Sequence, residues 1–208
     1  MTASPPRELF GPERLLAFSD GVFGVAITLL VIDLRLPAIV AGEGDAALLD
    51  ALLDLGPKLL LFAFTFIVVG MSWLGHLRKF SYIGRIDGGL LWLNLAYLLA
   101  LCLVPFVTSV LSEHRSRVGF ILYAVVMALV SLLSAGLSAY GLRTLFLARP
   151  ALQPGVRQDM ILSPVATGAL FLVSAGLALG GWIRVAHWAL LVIVPVSMYF
   201  GSRSRKAT

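Results

Sequence analysis

The stretch Arg14–Pro37, "RLLAFSDGVFGVAITLLVIDLRLP", decides how this chain is read. It is apolar enough to cross a bilayer, yet it opens on an arginine. It carries Asp20 near its start and Asp33 near its end, and it uses Ser19, Thr28 and two glycines, Gly21 and Gly24, where leucines would insert more easily. A carboxylate inside a membrane segment costs several kcal/mol unless it is paired or wet, so such a group faces protein interior or water. At 100° per residue, Arg14, Phe18, Gly21, Val25, Leu29, Ile32 and Leu36 fall on one stripe, with Thr28 about 60° from its centre. Ser19 and Asp20 point away from that stripe. The segment is therefore an apolar face interrupted by glycine, with a separate polar patch near one end. An apolar stripe of this kind ordinarily serves packing or lipid contact, and Ser19 and Asp20 at a helix start are also capping residues.

The rest of the chain continues this pattern. Of 208 residues, 59% are hydrophobic and only 13% charged, with a mean hydropathy of +0.95. A soluble domain carries about 25% charged residues, so an all-α integral membrane protein is expected. The apolar runs are continuous rather than alternating, which excludes a β-barrel. Six transmembrane helices are predicted over residues 15–36, 55–77, 88–111, 118–142, 160–180 and 185–200, making residues 1–208 a single six-helix domain. Most of these runs reach the ~20 residues that cross ~30 Å of hydrocarbon, and the last is the shortest. The first run is long and acid-bearing, unlike a cleaved signal peptide, and is expected to stay as a helix.

The 16 basic residues then set the orientation. One side holds Arg7, Arg14, Arg78, Lys79, Arg85, Arg143, Arg149, Arg157, Arg203, Arg205 and Lys206; the other holds Arg35, Lys58, Arg115, Arg117 and Arg184. Eleven against five predicts cytoplasmic termini in a multi-pass cell membrane protein. The charges sit between apolar runs rather than on one face, so the net +5 does not indicate nucleic acid. The acidic stretch "AIVAGEGDAALLDALLD" (38–54) reads as a solvated outer loop, or as a short interfacial helix with Asp50 and Asp54 one turn apart. Pro105 and Pro195 are expected to kink their helices. Gly176 and Gly180, four apart, suit close helix approach. With a single cysteine, Cys102, there is no disulfide framework. His76, His114 and His187 show no metal-ligand spacing, and no nucleophile motif is present, so neither an enzyme nor a metal or cofactor site is expected.

"RLLAFSD", followed by the Ala-Ile-Thr-Leu-Leu run at 26–30, resembles the signature of the transmembrane protein 175 family of potassium channels, arginine, three residues, then Phe-Ser-Asp. Arg14, Phe18, Ser19 and Asp20 all match, and "SWLGHLRKF" supplies Trp73 and His76, which resemble that family's tryptophan and histidine in the second helix. The resemblance implies a homotetramer in the lipid bilayer, with four copies of the first helix lining a central pore for monovalent cations, potassium above all. It implies a hydrophobic constriction at Val25, with Leu29 and Ile32 one and two turns further out, in place of a carbonyl-lined Thr-Val-Gly-Tyr-Gly filter, a sequence this chain lacks. It gives Thr28 a part in selectivity; the alternative for Thr28 is a hydroxyl bonded to its own backbone. Valine stands where isoleucine is common, and Gly24 where a small polar residue occurs, so a wider neck is expected. Arg14, Phe18, Ser19, Asp20, Trp73 and His76 are read as a network that holds the pore helix, Asp20 bonding Arg14, backbone amides, or Trp73 and His76. His76 is otherwise a neutral hydrogen-bonded histidine or a proton sensor. The competing readings are a secondary transporter, which requires midplane charges that these helices lack, and a non-conducting scaffold.

Overall fold

A computed structural model describes residues 12–36, 44–143, 154–196 and 199. Within them the chain is helical: α1 (Glu13–Leu29), α2 (Gly44–Asp54), α3 (Gly56–Tyr82), α4 (Gly88–Cys102), α5 (Val104–His114), α6 (Arg117–Arg143), α7 (Pro154–Leu179) and α8 (Ile183–Leu191). Five stretches are long and apolar enough to cross a membrane: Glu13–Asp33, Gly56–Tyr82, Gly88–His114, Arg117–Leu142 and Gly155–Leu179. The predicted sixth span is a shorter apolar helix, Ile183–Val196. Its predicted end, Phe200, lies outside the described residues.

Local chemistry explains the departures from the predicted bounds. The first helix stops being α-helical at Leu29, tightens into a 3-10 turn over Leu30–Asp33, and is non-helical at Leu34–Leu36. The predicted third helix is two, α4 and α5, broken at Leu103. Pro105 has no N–H for the Leu101 carbonyl and its ring crowds that turn, so the Leu103 amide bonds Ala100 instead. Pro195 acts likewise: α8 ends at Leu191 and the helix resumes at Ile193. Residues 44–54 of the acidic stretch form a helix, α2, whereas 38–43 lie outside the described residues.

α6 is the centre of the bundle. It packs on α3, α4, α5 and α7, and 61% of its apolar window is buried. The core around it holds Tyr97, Tyr123, Met127 and Phe171. The close approach of α6 and α7 occurs at Gly168, where an added Cβ would lie 3.1 Å from Leu132 and 3.3 Å from Ser131. The predicted pair, Gly176 and Gly180, does not serve this purpose. Gly176 has open space around it, and Gly180 leads into Gly181, whose φ of +87° ends α7. α1 lies at the edge, against α3, α4 and α5.

Candidate functional site: the two faces of the first helix

α1 buries Leu15, Ser19, Phe23 and Ala26, and Leu30 continues the same side into the 3-10 turn. The spacings of four, four, three and four keep these residues on one helical face. The predicted stripe lies about a third of a turn away by the same geometry. All of it is exposed: Phe18, Val25, Leu29, Ile32 and Leu36 are 42–58% accessible, and Arg14, Gly21 and Thr28 are exposed with them. Gly21, one turn before Val25, and Gly24, next to it, have nothing within 4 Å of where a Cβ would stand. The Thr28 hydroxyl donates back to the carbonyls of Gly24 (2.9 Å) and Val25 (3.0 Å). That is the backbone bond expected of a helical threonine, and it leaves the oxygen's lone pairs facing outward.

The buried side of α1 is tied to its neighbours by polar groups. The Trp73 indole Nε1 of α3 donates to Asp20 Oδ1 at 2.8 Å. The Ser19 hydroxyl donates to the Leu15 carbonyl (2.8 Å), so its oxygen must accept from Asn94 Nδ2 of α4 (3.1 Å). Asn94 Oδ1 is then the acceptor for His76 Nε2 of α3 at 3.0 Å. Each donor in this chain fixes the next, and His76 is thereby an Nε2–H tautomer whose buried Nδ1 has no hydrogen-bond partner. Phe23, Phe80 and Tyr97 enclose the His76 ring, the last stacked at 5.7 Å and 9°. The Tyr97 hydroxyl is shared with Ser72 at 2.8 Å.

Of the predicted network, Ser19, Asp20, Trp73 and His76 come together, and Arg14 and Phe18 do not. Arg14 is exposed on the stripe side and, among the described residues, forms no ion pair with Asp20. Helical geometry is the reason, since residues six apart lie on different faces. Sequence reasoning missed Asn94, the group that joins Ser19 to His76. An asparagine in the middle of "LLWLNLAYLL" was the available signal, because an amide buried among leucines needs partners. It also took Lys79 for a loop charge. Lys79 is buried in the last turns of α3, where it donates to the Ser134 carbonyl of α6 (2.8 Å) and to the Ser134 hydroxyl. Eight residues further on, Asp87 caps α4 through the Leu90 amide (2.9 Å) and accepts the Tyr140 hydroxyl (2.8 Å).

The family whose sequence profile matches is the endosomal/lysosomal potassium channel TMEM175, over residues 14–105. That range starts at Arg14 and ends at the proline of the α4–α5 break. A potassium channel of Streptomyces collinus is 37% identical over 124 residues, 57% of this chain and 59% of that one. The endosomal/lysosomal proton channel TMEM175 of Danio rerio is 28% identical over 146 residues, 70% of this chain and 28% of the fish protein. The chain spans a little over half the length of the first curated bacterial relatives it matches. In three dimensions it is similar to the crystal structure of a lysosomal potassium-selective channel TMEM175 homolog from Chamaesiphon minutus, with a TM-score of 0.75 and 28% identity over 92% of this chain and 97% of that one. These relatives are named as ion channels, not as enzymes.

Proposed function

We propose that this protein belongs to the TMEM175 family and is a homotetrameric, potassium-permeable cation channel of the cell membrane, with cytoplasmic termini. Four α1 helices face a central axis with the stripe Phe18–Leu36 inward. Val25 forms the constriction, and Leu29 and Ile32 continue the apolar neck outward. The observation that carries this reading is the exposure of that stripe in a helix whose other side is locked into the bundle by Asp20–Trp73 and Ser19–Asn94–His76. A stripe meant only for lipid has no need of Gly21, Gly24 and Thr28 beside its branched residues.

The chemistry follows from ring geometry. A narrow ring of aliphatic side chains expels water, and an ion stripped of hydration meets a barrier there, so the neck gates by dewetting. Potassium holds its hydration shell less tightly than sodium and passes the neck more readily. Thr28, one turn from the constriction, offers oxygen lone pairs to a partly dehydrated ion, because its proton is committed to the backbone. Valine and the adjacent glycines make the neck wide, so selectivity is modest. The buried network is the scaffold that sets the angle at which α1 presents Val25.

Ion flux into liposomes holding the purified protein tests this directly, with potassium, rubidium, caesium, sodium and protons compared and Val25→Asn measured beside the native chain. Faster potassium than sodium flux, altered by Val25→Asn, is the expected result. Folded, oligomeric protein that conducts under no gradient would return the chain to a scaffold, and flux that requires a coupled gradient would make it a transporter.

A further inference from the structure

α2 is an outlier in its surroundings. It packs on α3 through the side that bears Ala51, with Leu55 buried just beyond its end, and turns the other side outward. That outward side carries two pairs at one-turn spacing. Leu49 and Leu53 are 57% and 67% exposed, and Asp50 and Asp54 stand exposed beside them. A helix that lies on a lipid surface carries Lys or Arg on its polar face. α2 carries three aspartates and no base.

The complementary chemistry lies at the same end of the bundle. The chain reverses with each successive span, so α2, which follows the first, shares a rim with the α5–α6 corner that follows the third. Contact of α5 with both α1 and the 3-10 turn at its end agrees with this. The corner exposes Arg115, Arg117 and Val118, the last 75% accessible, together with one acid, Glu113. Arg115 ends α5 at φ +41°, the one non-glycine positive φ among the described residues. Glycine or asparagine holds that conformation at less cost. Among the described residues neither arginine has an ion-pair partner, and neither do Asp50, Asp54 or the nearby Lys58. Arg35, on the same rim, turns its Nε back to the Ile32 carbonyl at 3.2 Å.

We propose that α2 of one copy docks on the α5–α6 corner of the neighbouring copy, Leu49 and Leu53 covering Val118 while Asp50 and Asp54 pair with Arg115 and Arg117. The proposal rests on the oligomeric reading above and makes the outer rim an intersubunit clasp. Its polarity is head-to-tail, since α2 and the corner are different surfaces, and such a contact closes into a ring when the rotation between copies divides a full turn, as the proposed tetramer requires. The clasp ties the outer end of each pore helix to the next subunit.

Cross-linking tests it. In a Cys102→Ser background, Leu53→Cys and Val118→Cys are introduced singly and together in the membrane-embedded full chain and treated with a short bis-maleimide. Both sites are exposed, so folding is not at risk. The subunit number of the background protein is measured first by native mass spectrometry. Cross-linked multimers from the double variant, with each single variant running as a monomer, are the expected result. An oligomeric protein that yields only internally linked monomers, or no link, overturns the clasp and leaves the pore reading intact. A protein of one subunit overturns both. As a second measurement, Asp50→Arg with Asp54→Arg shifts the dilution midpoint of assembly on the order of tenfold, the scale of two partly exposed ion pairs. Adding Arg115→Asp and Arg117→Asp restores it; failure of the double reversal to restore assembly overturns the pairing.

Discussion

α1 and α6 are comparably apolar strings of helix-forming residues, yet 28% of the apolar window of the first is buried and 61% of that of the second. Polar bonds hold both helices. On α6, Ser131 donates to the Met127 carbonyl at 2.9 Å and Ser138 to the Ser134 carbonyl at 3.2 Å, while Ser134 accepts from Lys79 of α3 and Tyr140 donates to Asp87. On α1, Thr28 bonds only its own backbone, whereas Asp20 accepts from Trp73 and Ser19 from Asn94 on other helices. α6, packed on four helices, is held by more burial than α1, although Val118, Leu122, Val125, Leu129 and Leu132 keep one stripe of it exposed. A helix held on one side only depends more on directional bonds to fix its rotation, and on the function proposed above that rotation sets how α1 presents Val25.

This contrast can be broken by a single pair of matched substitutions. Met127→Asn places an unpartnered amide in the core of α6 and should lower unfolding stability by about 3 kcal/mol or more, read as thermal unfolding in detergent. Val25→Asn, the same chemistry on the exposed stripe of α1, should leave that unfolding midpoint nearly unchanged. An equal loss at both sites would show that the α1 stripe is packed like a core.

The bonds on the buried side of α1 come next in size. Asn94→Leu removes the link between Ser19 and His76 and strands polar groups on both, at about 2 kcal/mol in the same unfolding measurement. Its flux should fall further than a variant of matched stability on α6, because α1 is then free to turn. Val25→Asn, silent in stability, should raise ion flux on the order of tenfold by wetting the neck, which corresponds to about 1.4 kcal/mol of barrier. Thr28→Val is the smallest effect. It should alter stability by less than about 0.5 kcal/mol, since the lost bond is local, and lower the potassium-to-sodium flux ratio roughly twofold, about 0.4 kcal/mol. An unchanged ratio would remove Thr28 from the conduction path.

Much of this was legible in particular residues. The stripe from Arg14 to Leu36 follows from helical period alone, and its members share one exposed face. Asp20 announced a partner because a membrane carboxylate must have one, and Trp73 supplies it. Which partner it would be was not legible. Arg14 was as good a candidate by charge, and only the packing of α3 against α1 put the indole within reach. Asn94 and Lys79 were harder still, since both bond across helices separated by tens of residues. Nor does composition separate the crossing helices from Ile183–Val196, a shorter stretch of the same apolar character.

The sequence by itself determined an all-helical membrane protein, the two-faced character of its first helix, and the breaks at Pro105 and Pro195. All of these depend on local terms: side-chain transfer energies, a period of 3.6, and a missing amide proton. The tertiary structure alone decided which face of α1 is buried, which residue Asp20 binds, where α6 and α7 touch, and that the acidic stretch holds a helix turned outward from the bundle. Those are properties of distance between segments far apart in the chain, and hydropathy carries no information about distance.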